Sequence, residues 1–257
     1  MKINLTVNDG IGEIALNRPD KMNALDTETV RELRDRLREA AEADVRALLV
    51  RGEGPGFCAG RDLAEAEPGN EDAESILQQV FNPLIVQMAE FPAPAFAAVH
   101  GPCLGVGLGL ALACDVVYVA EDARLGSPFA RIGAVLDSGG HKFFVARIGS
   151  HRALELIYTG RLISGIEAAQ FGLVNRAFPR DALLEETRKV VAQTAKGPTA
   201  AFMESKRLVH RIGEEHLGLS EVLNQEARAQ GAAGRTGDYR EGISAFQQKR
   251  TPKFSGH

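Results

Sequence analysis

The sequence predicts an α/β fold: a core of repeated β-β-α units followed by a helical C-terminal layer. Three observations carry this. Short strand-like runs alternate with helical periodicities over roughly the first half of the 257 residues. The turns between them are rich in glycine, at 52–56 and 101–109. From about residue 150 onward the pattern turns almost wholly helical.

The elements follow in order. Ile3, Leu5 and Val7 alternate with Asn4, Thr6 and Asn8, which predicts a strand with one buried face. Asp9-Gly10 then turns the chain, and Ile14-Ala15-Leu16 returns as the second arm of a hairpin. Arg18-Pro19-Asp20 breaks that pattern. Val30, Leu33, Leu37 and Ala40 fall at helical spacing, with Asp26 and Thr27 as candidate caps. Ala47–Val50 reads as a short buried strand. A second helix fits 72–90, where Ile76, Val80, Leu84 and Met88 are spaced by four and Leu77, Phe81 and Ile85 widen the apolar stripe. Pro92 and Pro94 end it. Phe96–Val99 is a strand, Gly101–Gly109 a glycine-rich turn, Leu110–Cys114 a helix and Asp115–Val119 another strand. Helices are predicted at His151–Tyr158, Gly165–Phe171, Asp181–Lys196 and Pro198–His216, then across Leu219–Gln248 with a break near 231–237.

Composition narrows the function classes. A net charge of −4 and a pI near 5.9 argue against a nucleic-acid binder that relies on phosphate contacts. Cys58, Cys103 and Cys114 form no C-x-x-C pair and are odd in number, which suits a reducing, cytoplasmic setting. The N-terminal residues show no secretory pattern. The longest apolar stretch, Leu104–Ala120, is too short and too interrupted by Gly, Cys and Asp115 to span a membrane.

Candidate chemistry begins at Gly105-Val106-Gly107-Leu108-Gly109. A dinucleotide fingerprint fails, because Leu110 stands where its third glycine belongs. The run suits either close helix–strand packing or a helix N-terminus whose free N–H groups polarise a carbonyl. The loop Gly54–Leu63 also follows a buried strand, and could supply a second such donor or be only a loop. No nucleophile elbow surrounds Ser138, no P-loop is present, and no pair of histidines has metal-ligand spacing. Asp137 is the carboxylate of interest. Set among Phe129, Val135 and Leu136, it would lose solvation, and its pKa would rise toward that of a working base. On residue chemistry alone, the commoner role for such an Asp is to cap a helix, here one starting near Ser138.

Taken together these segments resemble the crotonase superfamily, the enoyl-CoA hydratase/isomerase family, over nearly the whole chain. The resemblance lies in Asn17-Arg18-Pro19-Asp20-Lys21-Met22-Asn23-Ala24-Leu25, in Phe57-Cys58-Ala59-Gly60-Arg61-Asp62-Leu63, and in His100–Gly107 through Asp115. Thr159-Gly160-Arg161, Ala168–Asn175 and Glu241–Phe246 with Lys249-Arg250 continue it. It implies a spiral of β-β-α turns over 1–195 that holds a CoA thioester. It implies a C-terminal helical trimerisation region over 196–257, and a homotrimer or a hexamer of paired trimers. By position, the N–H groups of Ala59 and Val106 would hold the thioester carbonyl. CoA and substrate contacts would fall on Met22, Asn23, Ala24, Arg61, Asp62, Leu63 and Phe129, with Phe246 and Lys249 reaching a neighbour's CoA. No cofactor is expected beyond the coenzyme A of the substrate, and no metal, nucleic acid or membrane.

The departures from the family pattern decide the reaction. Hydratases of this family use two glutamates, which align with Gly109 and Phe129 here, and neither residue ionises. Asp137 aligns with an aspartate that carries the proton in some isomerases. The segment Ile132–Gly140 most resembles phenylacetate-pathway isomerases acting on ring-epoxide or 3-enoyl thioesters. The expectation is therefore an isomerase that shifts a double bond through an enolate, with Asp137 as proton carrier. Three rivals stand beside it: a hydratase using another residue to activate water, an aryl-CoA dehalogenase-like enzyme, and a non-catalytic acyl-CoA-binding protein. The loop Glu65–Asn70 is expected beside the acyl group, whose identity the sequence leaves open.

Overall fold

The structure is a computed structural model that describes residues 1–65 and 70–257. Its centre is a six-stranded sheet in the order β1-β2-β3-β4-β6-β9, beside a three-stranded sheet in the order β5-β7-β8. β1 (Ile3–Asn8) and β2 (Ile11–Leu16) form the antiparallel hairpin. Asp9 and Gly10 both take left-handed φ, as a tight two-residue turn requires. β3 (Ala47–Gly52), β4 (Ala95–Val99), β6 (Val116–Ala120) and β9 (Arg176–Phe178) then join in parallel.

The spiral arises because the chain visits the two sheets alternately. β4 in the large sheet leads to β5 (Pro102–Leu104) in the small one, and β6 leads to β7 (Arg124–Gly126). After β3, the Cys58 backbone bridges Cys103 of β5. Each turn thus contributes a strand, a short bridging strand and a helix, which is the α/β spiral that the sequence predicts. Strands β5, β7, β9 and β8 (Ile163–Ser164) were not legible in the sequence. At two or three residues each, they are too short to show an alternation.

The helices hold two departures from the periodicity. α1 (Thr27–Glu42) is capped by Asp26, whose carboxylate accepts the Thr29 N–H at 2.7 Å. The second helical stretch is not uniform: α2 (Ala73–Ile76) passes through a π-turn (Leu77–Phe81) into α3 (Asn82–Ala89). Pro83 has no N–H to give the preceding turn, and the Asn82 N–H reaches back five residues to Leu77 O. The helix expected at Leu110 starts at Val106 instead, as α4 (Val106–Leu112), so the last glycines of the supposed turn lie inside it. α5 (Gly140–Thr159) bends at Gly149, and α6 (Gly165–Phe171) and α7 (Arg180–Ala195) follow.

α8 (Thr199–Glu215), α9 (Leu219–Ala233) and α10 (Gly237–Gln247) close the chain. Polar anchors tie this part to the spiral. The nearly buried Lys206 pairs with Asp115 at 2.9 Å and donates to Phe91 O, while Arg46 donates to Gly197 O and Phe254 O. Asp115, expected at the start of a strand, precedes β6, and its carboxylate accepts the Ala95 N–H. α8 has no buried residue, and apolar side chains such as Val209, Leu219, Leu223, Ile243 and Phe246 stay exposed. Among the described residues no helix is long and apolar enough to cross a membrane.

Candidate active site

The site lies where the extended segment after β3 meets the N-terminus of α4. Phe57 N–H donates to His100 O at 2.7 Å and Cys58 N–H to Pro102 O at 3.0 Å. The segment then changes partner. Ala59 N–H donates to Met22 O at 2.9 Å, Leu25 N–H to Gly60 O at 2.8 Å, and Asp62 N–H to Leu25 O at 2.9 Å.

This register corrects one expected donor. The Ala59 N–H is used in holding Met22 and cannot face a ligand. Leu25 bridges Arg61 in parallel, bonding to the residues on either side of it. In that pattern the Arg61 N–H points to the opposite edge. Gly60 and Gly105 approach closely on that edge: a Cβ on Gly60 would lie 2.9 Å from Leu104 O, and one on Gly105 4.0 Å from Gly60 Cα. Gly105 has φ +52° and ψ −125°, open to glycine alone, and this geometry turns the chain from β5 into α4. Among the described residues neither the Arg61 N–H nor the Val106 N–H has an acceptor. The pair of N–H groups suited to an oxyanion is therefore Arg61 with Val106.

Phe129 packs against Gly105, next to Val106, and the turn that carries Asp137 packs on α4 at Gly109. The Phe129 ring lies against Gly105, 3.4 Å from where its Cβ would be. Asp137 starts a tight turn in which its carbonyl accepts the Gly140 N–H at 2.9 Å, with Ser138 at φ +53° and Gly139 at φ +77°. The turn sits on α4. A Cβ on Gly109 would come within 2.4 Å of Ser138 O and 2.7 Å of Ser138 Cβ. Position 109 thus has no room for any side chain.

The Asp137 carboxyl is half-buried and raised above its ordinary range. Burial is the main cause, opposed by the Ser138 hydroxyl and by the Arg61 charge. It caps no helix, since α5 has Gly139 as its N-cap and no side-chain cap. Its enclosure also differs from expectation: Leu136 is buried, but Val135 is 78% exposed and turned away to solvent. Arg61 is held by a fork-to-fork pair with Glu71 and lies 6.0 Å from the Phe81 ring centre, on the π-turn.

The residues expected to contact CoA fall into two groups. Met22 and Leu63 have exposed side chains, as do Phe246 at 84% in α10 and Lys249 just beyond it. Asn23, Ala24 and Asp62 serve the fold instead. Asn23 is 1% exposed; its amide donates to Glu53 O and Gly56 O and accepts from Arg18 N–H. Ala24 is buried, and Asp62 pairs with Arg18 at 3.0 Å. Any contact at Asn23 or Ala24 would therefore be through main chain. Replacing Asn23 with Ala would leave the buried Gly56 O and the part-buried Glu53 O and Arg18 N–H without this partner, with an expected destabilisation on the order of 2–3 kcal/mol. Chemical denaturation reads this directly. The loop predicted at 65–70 falls largely on residues 66–69, outside the described residues.

No cysteine offers a nucleophile here. Burial pushes the Cys58 and Cys114 thiols up to about 12, and raises Cys103 as well.

Known proteins resemble the chain along nearly its whole length. The enoyl-CoA hydratase/isomerase family profile matches residues 6–257. The 1,2-epoxyphenylacetyl-CoA isomerase of Escherichia coli (strain K12) is 32% identical over 255 residues, 97% of each chain. The human mitochondrial enoyl-CoA hydratase domain-containing protein 2 is 38% identical over 253 residues, 96% of this chain and 86% of that one. The crystal structure of an enoyl-CoA hydratase from Bacillus anthracis superposes with a TM-score of 0.92 at 31% identity, covering 100% of both chains. With a spiral fold, paired N–H groups beside a half-buried aspartate, and relatives of both names along its whole length, the chain belongs to the enoyl-CoA hydratase/isomerase family.

Proposed function

We propose that this enzyme is an isomerase that moves the double bond of an enoyl-CoA thioester by proton transfer. One observation carries the preference for isomerisation over hydration: Gly109 lies directly beneath Ser138, where even a Cβ has no space. The position at which the hydratase pattern places its first glutamate is closed by the turn that presents Asp137. Phe129 removes the second glutamate and brings an apolar ring to the same place.

The Arg61 and Val106 N–H groups hold the thioester oxygen and stabilise negative charge as it develops there. The Asp137 carboxylate takes a proton from Cα of a 3-enoyl-CoA. That C–H bond breaks, an O–H bond forms, and the electron pair passes into the enolate. The same carboxyl returns the proton to Cγ, leaving the double bond between Cα and Cβ. One carboxyl suffices because it is base in the first step and acid in the second. A ring-epoxide thioester is a second substrate class for the same enolate chemistry, in keeping with the name of the Escherichia coli relative, a 1,2-epoxyphenylacetyl-CoA isomerase.

In this reading Met22, Arg61 and Leu63 meet CoA from their own subunit, and Phe246 and Lys249 meet it from a neighbour. A homotrimer, or a pair of trimers, would cover the apolar residues left exposed on α8 to α10. Three free, buried thiols suit a reducing cytoplasm.

The test follows the conjugated thioester by absorbance, with a 3-enoyl-CoA and separately with crotonyl-CoA. Conjugation should appear in the first, and crotonyl-CoA should stay unhydrated. Fast loss of the crotonyl signal would assign the enzyme to hydration instead.

A further inference from the structure

Ser138 stands next to the proposed proton carrier and has no part in the chemistry described so far. Its hydroxyl donates to Asp137 Oδ1 at 2.7 Å. We infer that Ser138 is a positioning residue: it occupies one oxygen of the Asp137 carboxylate and leaves the other as the single site where a substrate proton is taken and returned. This rests on the reading of Asp137 as that carrier.

The geometry fixes the hydroxyl. Ser138 is 3% exposed, and its carbonyl and Cβ rest on Gly109, so the residue cannot slide along α4. Its φ of +53° is one that glycine adopts at less cost, as Gly139 does one residue later. A serine here keeps a strained backbone conformation and gains a buried donor aimed at a carboxylate. That donor satisfies Oδ1 and stops the carboxylate turning about its terminal bond. Proton removal at Cα and return at Cγ then use the same oxygen, with no reorientation between the steps.

The same bond sets when Asp137 is ionised. A donor to a carboxylate favours its charged form, against the effect of burial. The other charge acting on Asp137 is Arg61, which is itself paired with Glu71. On the adjoining turn and helix, Arg131 and His141 are exposed to solvent. Without the hydroxyl, the base would need a higher pH to ionise.

The experiment measures kcat and KM against pH on a 3-enoyl-CoA for the wild type, Ser138→Ala, Ser138→Gly and Asp137→Asn, together with thermal unfolding of each. Both Ser138 variants should move the acid limb of activity upward by about one pH unit. They should lose roughly tenfold in kcat at the wild-type optimum with KM little changed. Their melting temperatures should diverge, because glycine relieves the left-handed backbone and alanine does not. Equal kinetic losses despite diverging stability would support positioning. Wild-type profiles in both variants beside an inactive Asp137→Asn would overturn the role of Ser138 and leave that of Asp137 intact. Losses that follow melting temperature, with Ser138→Gly active and Ser138→Ala not, would also overturn it. An active Asp137→Asn would remove the carrier itself, and this inference with it.

Discussion

Replacing Asp137 with Asn should lower kcat for double-bond migration by about 10²–10⁴-fold while leaving KM for the acyl-CoA close to wild type. An amide keeps the size and much of the polarity of the carboxyl but cannot carry the proton. The two N–H groups proposed to hold the thioester are main chain and stay in place. Stability should not suffer. Burial raises the Asp137 carboxyl above its usual range, so its ionised form disfavours the folded state at neutral pH. Asn removes that cost, and the variant should melt no lower than the wild type near pH 7. The cost in the wild type disappears as pH falls below the folded pKa and the carboxyl takes up its proton. The stability difference between the two proteins should therefore narrow in acid. A variant that loses activity only because it unfolds would behave in the opposite way.

The second large effect is expected at Gly109. Introducing a glutamate there to restore a hydratase-like carboxylate should not produce a hydratase. The new Cβ would meet the backbone oxygen of Ser138 at 2.4 Å, and a backbone atom in a tight turn cannot swing aside as a side chain would. Gly109→Ala alone should destabilise by ~1–3 kcal/mol. It should also reduce isomerisation strongly, because relief of the clash displaces the turn that carries Asp137. Thermal melts and initial rates on a 3-enoyl-CoA check both parts. A stable Gly109→Glu protein that hydrates crotonyl-CoA would show that the turn can move aside, and would remove the steric basis for preferring isomerisation.

Much of the fold was legible because its elements carry strong patterns. Asp26 ahead of Val30, Leu33 and Leu37 marks α1, and the alternation from Ile3 to Val7 marks β1. The bridging strands were not, because three residues such as Pro102–Leu104 owe their strand geometry to their neighbours rather than to their own sequence. The start of α4 was hidden for a related reason. Val-Gly-Leu-Gly reads as a turn, yet burial on all sides stabilises it as helix.

At the site, residue type singled out Asp137 as a candidate, but not what surrounds it. The Ala59 error was one of register. Ala59 and Arg61 have the same backbone orientation in a regular strand, and only the change of partner from β5 to the Met22–Leu25 segment shows whose N–H is spent. The resemblance pointed to Asn23 as a contact residue but gave no sign that its side-chain amide is spent on Glu53 O and Gly56 O. Ser138 was visible only as a failed nucleophile elbow. Its left-handed φ and its bond to Asp137 belong to the fold and left no mark that a motif search would find.

The most direct test of single-carboxyl isomerisation is the mass of the product formed from a 3-enoyl-CoA in ¹⁸O-labelled water. Proton transfer by Asp137 predicts a conjugated 2-enoyl-CoA of unchanged mass, free of label. A product heavier by one water and carrying the label as its main species would contradict the account, and would place water activation at the centre of this site.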